Sequence, residues 1–159
     1  MPASRTNPSV VSLRGVGKAF GSGVVALDSL DLDVRDGEFV SLLGPSGCGK
    51  STALRIVAGL SEPTRGTVTW PGAPGSHVKD IGFVFQEPTL MPWATVFANV
   101  FLPLKLAGSG KHEAAPRIMA TLARVGLSEF AGAYPRQLSG GMRMRVSIAR
   151  ALVTAPRVL

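Results

Sequence analysis

Residues 44–51 constrain the fold more than any other part of this chain. They read Gly-Pro-Ser-Gly-Cys-Gly-Lys-Ser and fit the spacing G-x-x-x-x-G-K-[ST]. A mostly apolar run at residues 39–43 precedes them, and a helical pattern over residues 50–58 follows, with Gly59 as the predicted C-terminal cap. A buried strand that leads through a glycine-rich loop into a helix predicts an α/β fold with parallel strands in its core. The helix is apolar on nearly all sides, so we expect it to be buried.

The residue types in this loop predict a phosphate-binding site. Glycines can adopt positive φ, so successive backbone N–H groups can turn toward a bound anion. The following helix adds its N-terminal N–H groups. Lys50 is placed to reach the β- and γ-phosphates of a nucleotide, and the Ser51 hydroxyl to ligate Mg²⁺. We expect nucleotide phosphate contacts from Gly44, Pro45, Ser46, Gly47, Cys48, Gly49, Lys50, Ser51 and Thr52, although the loop alone does not choose among kinases, GTPases and transport ATPases. Cys48 is the single cysteine, and we interpret it as a small filler of the loop rather than a redox thiol.

Along the rest of the chain, strand patterns come first and helical patterns follow. Apolar or alternating runs predict strands at residues 10–13, 27–34, 67–70 and 81–85. The second run alternates apolar and charged residues, as in an antiparallel sheet with one solvated face. Helical spacing predicts helices at residues 96–106, 113–125 and 140–153, with Pro103 and Pro116 expected to limit the first two. This order predicts an α/β fold with an N-terminal antiparallel β subdomain and an α-helical subdomain.

The last predicted helix has a defined start and a defined inner face. Ser139 is its expected N-cap. Apolar residues recur at the spacing of one helical face, namely Met142, Val146, Ala149 and Val153. Pro156 ends the pattern, and residues 157–159 resemble the beginning of another strand.

Composition excludes several classes of protein. Apolar residues make up 45% of the chain and charged residues 17%, which argues against disorder. No run approaches the roughly 20 apolar residues of a membrane-spanning helix, and the first ten residues do not read as a signal peptide. His77 and His112 stand apart from any other residue at metal-ligand spacing. We therefore expect a soluble intracellular protein without a transition-metal site.

The net charge of +7 is concentrated in the C-terminal third. Residues 1–110 carry 9 basic and 8 acidic side chains, whereas residues 111–159 carry 8 basic and 2 acidic ones. Nucleic acid or an anionic membrane surface would be attracted to such a region. No nucleic-acid reading motif accompanies the charge, so we expect a solvated face and no nucleic-acid partner.

A second glycine-containing motif lies about ninety residues after the first. It reads Leu138-Ser139-Gly140-Gly141-Met142 and introduces a helix that contains Ala149-Arg150-Ala151-Leu152. With the first motif, in this order and spacing, the sequence resembles the ABC transporter ATPases over nearly the whole chain. The resemblance implies a P-loop NTPase core of RecA type. Residues 9–86 would form the β subdomain and phosphate-loop core, residues 87–140 the helical subdomain, and residues 141–159 the return to the core.

Further residues gain roles only from this resemblance. Gln86 falls at the position of the family's Q-loop glutamine, which implies a catalytic and Mg²⁺-binding role. Phe20 falls where the family places an aromatic ring on adenine. Leu138, Ser139, Gly140, Gly141 and Met142 would form the signature that closes over the ATP of a second subunit, since the serine hydroxyl and the helix N-terminus suit an anion. The implied assembly is a head-to-tail homodimer with two ATP molecules between its subunits.

Two segments are similar to the nitrate, sulfonate and taurine importer branch of the family, namely residues 85–93 with 99–100, and residues 134–143. The resemblance implies a transmembrane permease as partner, an indirect link to a solute-binding protein, and a position on the cytoplasmic face of the membrane. Met91, Trp93, Phe97 and Phe101 are candidates for the permease contact, with core packing as the alternative for each.

The sequence also departs from the family pattern. Met144 stands where many relatives have Gln. The Walker B Asp, the catalytic Glu and the switch His are not found among the 159 residues. We therefore expect an incomplete ATPase domain that hydrolyses ATP negligibly by itself and that, as the 159-residue chain alone, is poorly soluble or partly unfolded. Three alternatives remain open: a soluble ABC-type ATPase of DNA repair or translation, a nucleotide-binding fragment without turnover, and an unrelated phosphate-loop kinase.

Overall fold

The computed structural model of the chain describes residues 7–21, 23–71 and 81–159. The chain divides into two compact units, Met1–Val78 and Lys79–Leu159. Residues 72–80, which include His77, fall outside the described ranges.

A three-stranded antiparallel sheet organises the described part of the first unit. Its strands are β1 (Ser9–Ala19), β2 (Val25–Arg35) and β3 (Arg65–Thr69), in the order β2–β1–β3. The predicted alternation along β2 is confirmed, since its aspartates are exposed while apolar residues pack against the core, namely Leu27, Leu30, Leu32 and Val34. The N-terminal antiparallel β subdomain predicted from the sequence is therefore present.

Helix α1 (Lys50–Val57) packs on this sheet through one face only. Ile56, which is 2% exposed, joins a cluster formed by Val11, Leu13 and Val16. The prediction of burial on all sides is wrong, because Leu54 is 50% exposed. The described residues of the first unit provide one sheet for α1 to pack on, so the opposite face of the helix stays solvated.

The end of α1 follows the prediction. Gly59 has φ +68, its amide donates to Ile56 O at 3.0 Å, and the amide of Leu60 donates to Arg55 O at 2.8 Å. These paired bonds satisfy two carbonyl groups that the last helical turn leaves free. The left-handed position they require favours glycine, which confirms Gly59 as the C-terminal cap.

The apolar run before the glycine-rich loop is not a strand here. Residues 39–43 form no ladder with any described residue. Phe39 is 93% exposed and Leu43 is 90% exposed, so the prediction of a buried strand is wrong for this structure. A parallel strand is buried by neighbours on both sides, and the described ranges contain no strand paired with this run.

Three helices build the second unit: α2 (Val96–Leu106), α3 (Lys111–Arg124) and α4 (Gly140–Leu152). Short 3₁₀ turns at Ser128–Phe130 and Pro135–Gln137 connect the last two. The helices share one apolar core that includes Val100, Ile118, Leu122 and Val146. The predicted inner face of α4 is confirmed, with Val146, Ala149 and Val153 buried and Met142 packed against the same core. No helix in the described ranges has both the length and the apolar character needed to span a bilayer.

The prolines do not limit the helices as expected. Pro103 lies inside α2 and Pro116 inside α3. Each proline removes one backbone donor, but Leu104 and Ile118 next to them are buried in the shared core. Tertiary packing therefore holds both helices through their prolines.

The predicted strand at residues 81–85 is confirmed only at its first residue. Ile81 forms a parallel bridge with Val158, and Gly82 N donates to Val158 O at 2.8 Å. Of residues 157–159, which the sequence indicated as the beginning of a strand, Val158 forms this single bridge. The bridge joins the segment that leads to Gln86 with the segment that follows α4.

Candidate functional site

In the glycine-rich loop, the ammonium group of Lys50 folds back onto the loop itself. Nζ donates to Gly44 O at 2.8 Å and to Pro45 O at 2.6 Å, and lies 3.4 Å from Cys48 Sγ. The positively charged group of Lys50 is thereby surrounded by the backbone of the loop. An entering phosphate would offer Lys50 charged acceptors in place of these neutral carbonyl groups.

Three glycines of the loop have positive φ, and at one of them a side chain would also clash with backbone atoms. Gly44, Gly47 and Gly49 have φ values of +152, +82 and +91. At Gly49 a Cβ atom would lie 2.2 Å from Ala26 O and 2.7 Å from Leu27 Cδ2. Strand β2 therefore approaches the loop too closely for any side chain at this position, and the loop and β2 fix each other.

The start of α1 leaves its N–H groups available to a ligand. Its N-cap is Gly49, which offers no side-chain acceptor. By contrast, Thr95 accepts from Ala98 N at the start of α2, and Ser139 accepts from Met142 N at the start of α4. An uncapped helix start beside a loop lysine fits a phosphate group, which supplies the missing acceptors.

The first turn of α1 also carries the predicted metal-binding oxygen. Ser51 is exposed and Thr52 is half-buried. The described residues include no group of three or more His, Cys, Asp or Glu side chains placed to hold a metal. Mg²⁺ commonly binds through one or two protein oxygens together with substrate phosphates. The Ser51 hydroxyl fits that mode.

Phe20 follows β1 in the same unit as the loop. Its ring is 46% exposed, and Lys18 Nζ lies 5.6 Å from the ring centroid. An exposed ring face of this kind is able to stack on a nucleobase. The adenine-stacking role of Phe20 remains a prediction.

The second glycine motif forms the exposed start of α4. Leu138 is buried and anchors the motif to the core of the second unit, whereas Ser139, Gly140 and Gly141 are exposed. Ser139 Oγ accepts from Met142 N at 3.3 Å, so its own proton stays available as a donor. A Cβ atom at either glycine would meet nothing within 4 Å. The motif is a second helix start able to receive an anion.

Gln86 is exposed at the beginning of a segment that two other side chains hold in place. Arg150 donates to the backbone of residues 88 and 89, and Asn99 bonds the backbone of residues 91–95. Partial burial lowers the pKa of the Arg150 guanidinium, which nevertheless remains charged. Sequence reasoning gave neither residue a role. The available signal was Asn99, a polar residue on the apolar face between Val96 and Val100.

The predicted site residues divide between the two units. Phe20 and residues 44–52 lie in the first, while Gln86 and residues 138–142 lie in the second. Each unit thus presents a glycine-flanked helix start among the predicted site residues, and Lys50 lies at the one in the first unit. Together with the α/β architecture, these features define a phosphate-loop nucleotide-binding protein.

Comparison with known proteins gives the family. The sequence profile of the ABC transporter family matches residues 27–159. An uncharacterised ABC transporter ATP-binding protein of Methanocaldococcus jannaschii is 48% identical over 87% of this chain and 52% of its own length. An aliphatic sulfonates import ATP-binding protein of Mesorhizobium japonicum is 46% identical over 93% of this chain and 55% of its own. A spermidine/putrescine import ATP-binding protein of Pasteurella multocida is 39% identical over the whole chain and 44% of its own.

Solved structures agree with these relatives. The dimeric structure of a bacterial ABC transporter cassette matches with a TM-score of 0.81 and 39% identity, covering 92% of this chain and 70% of that one. A dimeric post-hydrolysis state of an ATP-binding cassette bound to ADP and phosphate matches with a TM-score of 0.77 and 37% identity, at 92% and 70% coverage. The chain therefore belongs to the ABC transporter family, as an ATP-binding domain. It spans about half the length of the curated relatives given above.

Proposed function

We propose that this chain is the nucleotide-binding part of an import ATPase subunit. ATP would bind at residues 44–52, and the signature of a second copy, residues 138–142, would close over it. The observation that carries the proposal is the presence of two exposed helix starts in one chain. One is uncapped and framed by Lys50, and the other is built of Ser139 and two open glycines.

The residues of the loop have separable tasks in this proposal. Backbone N–H groups of the loop and of the first turn of α1 would orient the phosphates. Lys50 would neutralise charge on the β- and γ-phosphates, and Ser51 would hold Mg²⁺. The family resemblance gives Gln86 a Mg²⁺-binding role as well. When bound, Mg²⁺ supplies charge stabilisation to the phosphoryl group. Phe20 would stack on the adenine.

The proposed partner of the second unit is a transmembrane permease subunit, which would place the protein on the cytoplasmic face of the membrane. Trp93 is 77% exposed and Met91 is half-buried, whereas Phe97 and Phe101 are half-buried against the core of the second unit. An exposed tryptophan ring beside partly buried aromatic residues suits an apolar partner helix. A solute-binding protein would act through the permease without touching this chain.

Two classes of cargo have support. Several relatives are named as aliphatic sulfonate importers, others as spermidine/putrescine importers. We favour a small anionic solute of the sulfonate, taurine or nitrate type, because residues 85–93 and 134–143 resemble that branch. Deletion of the gene and measurement of uptake would decide between them. Loss of radiolabelled alkanesulfonate uptake supports this choice, and loss of polyamine uptake overturns it.

A binding measurement tests the nucleotide site directly. The full-length gene product is titrated with a fluorescent ATP analogue in the presence of Mg²⁺, and ATP turnover is measured in parallel. Micromolar binding with turnover that depends on Mg²⁺ supports an ATPase. Binding without turnover would favour a nucleotide-binding interaction protein instead, and absence of binding would refute both.

Hydrolysis by these 159 residues alone is expected to be negligible. Phosphoryl transfer to water depends on positioning and charge stabilisation by a metal-holding carboxylate and a base. None of the Asp and Glu residues in the sequence fits either of those roles. The expectation is checked by comparing ATP turnover of residues 1–159 with that of the full-length gene product at equal nucleotide occupancy. Reading the coding DNA past the codon for Leu159 gives the sequence that follows.

A further inference from the structure

The segment that follows Gln86 is bonded to the signature helix by one side chain. Arg150 Nη1 donates to Thr89 O at 2.9 Å, and Arg150 Nη2 donates to Thr89 Oγ1 at 2.9 Å and to Pro88 O at 3.2 Å. Three bonds from one guanidinium fix both position and orientation, because its donors form a rigid planar fork. The bonds join residues about sixty positions apart in the chain, so they decide tertiary placement rather than local turn geometry.

Thr89 has a backbone conformation that is unfavourable for its residue type. Its φ is +45, a left-handed value that is unusual for a β-branched residue. Strained backbone of this kind persists where surrounding contacts over-determine it. Two of the three Arg150 bonds end on Thr89, so Arg150 supplies such contacts.

A second side chain holds the far end of the same segment. Asn99 is fully buried, accepts from Met91 N at 2.8 Å, and donates to the carbonyl oxygens of Met91, Ala94 and Thr95 at 3.0–3.2 Å. Asn99 belongs to α2, whereas Arg150 belongs to α4. The segment is therefore tied to α2 at one end and to the signature helix at the other.

Helix α4 runs without interruption from the cap Ser139 to Leu152. At about 1.5 Å per residue, Ser139 and Arg150 lie roughly 16 Å apart along the helix axis. A single helix transmits a displacement of one end to the other as a rigid body. The signature is thus linked to the segment after Gln86 by one continuous helix, α4, and by the guanidinium group of Arg150.

From these contacts we infer that Arg150 is a positioning residue that couples the signature helix to the segment containing Gln86 and Trp93. The inference rests on the proposed function in two respects: Gln86 serves the ATP reaction, and the signature of one copy closes over ATP held by another. When ATP closes the signature of one copy, the movement of α4 is passed through Arg150 to residues 86–93. Asn99 preserves the shape of the segment while it moves.

Hydrogen exchange of the full-length gene product tests the physical link without nucleotide. In Arg150→Gln we expect amides of residues 86–95 to exchange at least about tenfold faster, with exchange in α3 and α4 unchanged. Arg150→Lys keeps the charge but lacks the fork, so an intermediate rate is expected. If Arg150→Gln fails to fold, Thr89→Val removes only the Oγ1 acceptor and should still accelerate exchange in this segment.

A matched control is available on the same helix. Arg145 Nη1 donates to Val125 O at 2.9 Å, an equivalent bond that ends at the C-terminal cap of α3 instead. Arg145→Gln should accelerate exchange near residues 125–127 and leave residues 86–95 unchanged. Equal acceleration of residues 86–95 by both variants, or none by Arg150→Gln, overturns the inference.

ATP turnover of the same proteins tests the positioning role. Arg150→Gln should lower kcat about three- to tenfold while KM for ATP stays within twofold, because residues 44–52 are untouched. Faster exchange with unchanged kcat, or a rise in KM alone, would show that the link does not position Gln86 and would overturn that role. A wild-type protein without turnover refutes the proposed function, while the exchange result still decides the link.

Discussion

The ammonium nitrogen of Lys50 lies 2.6 Å from the carbonyl oxygen of Pro45. Both residues belong to the loop in which Lys50 is proposed to bind the phosphates of a nucleotide. A second bond to Gly44 O, at 2.8 Å, completes the arrangement. The two bonds hold the charged group of Lys50 against the backbone of its own loop. Binding would exchange two neutral acceptors for charged ones, so the gain is a difference between two hydrogen-bonded states.

Replacement of Lys50 should weaken nucleotide binding without unfolding the protein. Lys50→Met removes a charge-assisted contact worth about 1.5–3 kcal/mol, which corresponds to a roughly tenfold to hundredfold rise in Kd. Titration with a fluorescent ATP analogue measures it. Lys105→Met is the control, because Lys105 is exposed in the last turn of α2. Equal Kd values for the two variants would contradict the assignment.

Gly49→Ala should disrupt the loop itself. The added Cβ would meet Ala26 O at 2.2 Å and Leu27 Cδ2 at 2.7 Å, at a φ of +91. Either β2 or the loop must shift, and we expect a loss of at least about 1–3 kcal/mol of stability together with loss of nucleotide binding. Denaturant unfolding and the nucleotide titration measure the two effects. Retention of both would contradict the close approach of β2.

Gly141→Ala should separate folding from function. The position is helical and its added Cβ meets nothing within 4 Å, so the helix should gain about 0.5–1 kcal/mol. The same methyl group would stand on the surface proposed to cover the ATP of a second copy. We therefore expect equal or higher unfolding stability, unchanged binding at residues 44–52, and reduced ATP-dependent dimerisation measured by light scattering. Undiminished dimerisation would contradict the role of the signature.

Asn99→Asp should be strongly destabilising despite its similar shape. The carboxylate keeps the acceptor for Met91 N but turns an oxygen toward the carbonyl groups of Met91, Ala94 and Thr95. Buried, unsatisfied and repelling groups should cost at least about 2 kcal/mol, measured by urea denaturation. Thr121→Val is the matched control, since the buried Thr121 hydroxyl bonds only Arg117 O within its own helix. Its cost should be markedly smaller.

The ion pair between Arg14 and Asp33 predicts a pH dependence in the first unit. Arg14 Nη2 lies 2.7 Å from the Asp33 carboxylate, and this hydrogen bond lowers the pKa of Asp33. Its stabilisation is complete above the ordinary aspartate pKa, near 4, and is lost as the pH falls through the lowered value. Both side chains are largely exposed, so the effect is small and screened by salt.

Stability of wild type and Asp33→Asn should therefore differ at neutral pH and converge in acid. Arg14→Gln should reproduce the same profile, because it removes the other partner of the pair. Denaturant midpoints measured from pH 7 to pH 2, at low and high salt, provide the comparison. A difference that persists at pH 2 would contradict the electrostatic origin.

Much of the site could be predicted because it depends on local chemistry. Residues 44–51 combine glycines that adopt positive φ with a lysine at a fixed spacing. No other element of the fold requires that combination. Ser139 and the inner face of α4 follow from capping and from helical periodicity. Both kinds of signal are contained within a few consecutive residues. The structure confirms the Ser139 cap and the inner face of α4, while the ligand contacts of residues 44–51 stay predictions.

Predictions failed where the outcome depended on distant neighbours. An apolar run at residues 39–43 indicates burial, yet whether it is buried depends on the strands that pair with it. The prolines at 103 and 116 predict helix limits, yet packing against a shared core carries α2 and α3 through them. In each case local propensity competed with tertiary contacts that it does not encode.

The sequence by itself determined the glycine-rich loop motif, the motif at residues 138–142, the family, strands β1 to β3 and the helices, because each follows from residue types at short spacing. Only the tertiary structure decided that Arg150 reaches Pro88 and Thr89, that Asn99 closes residues 91–95, and that β2 lies against Gly49. Those contacts join residues far apart in the chain. Long-range hydrogen bonds depend on where whole elements pack, and packing is set by the combined burial of many side chains rather than by any one motif.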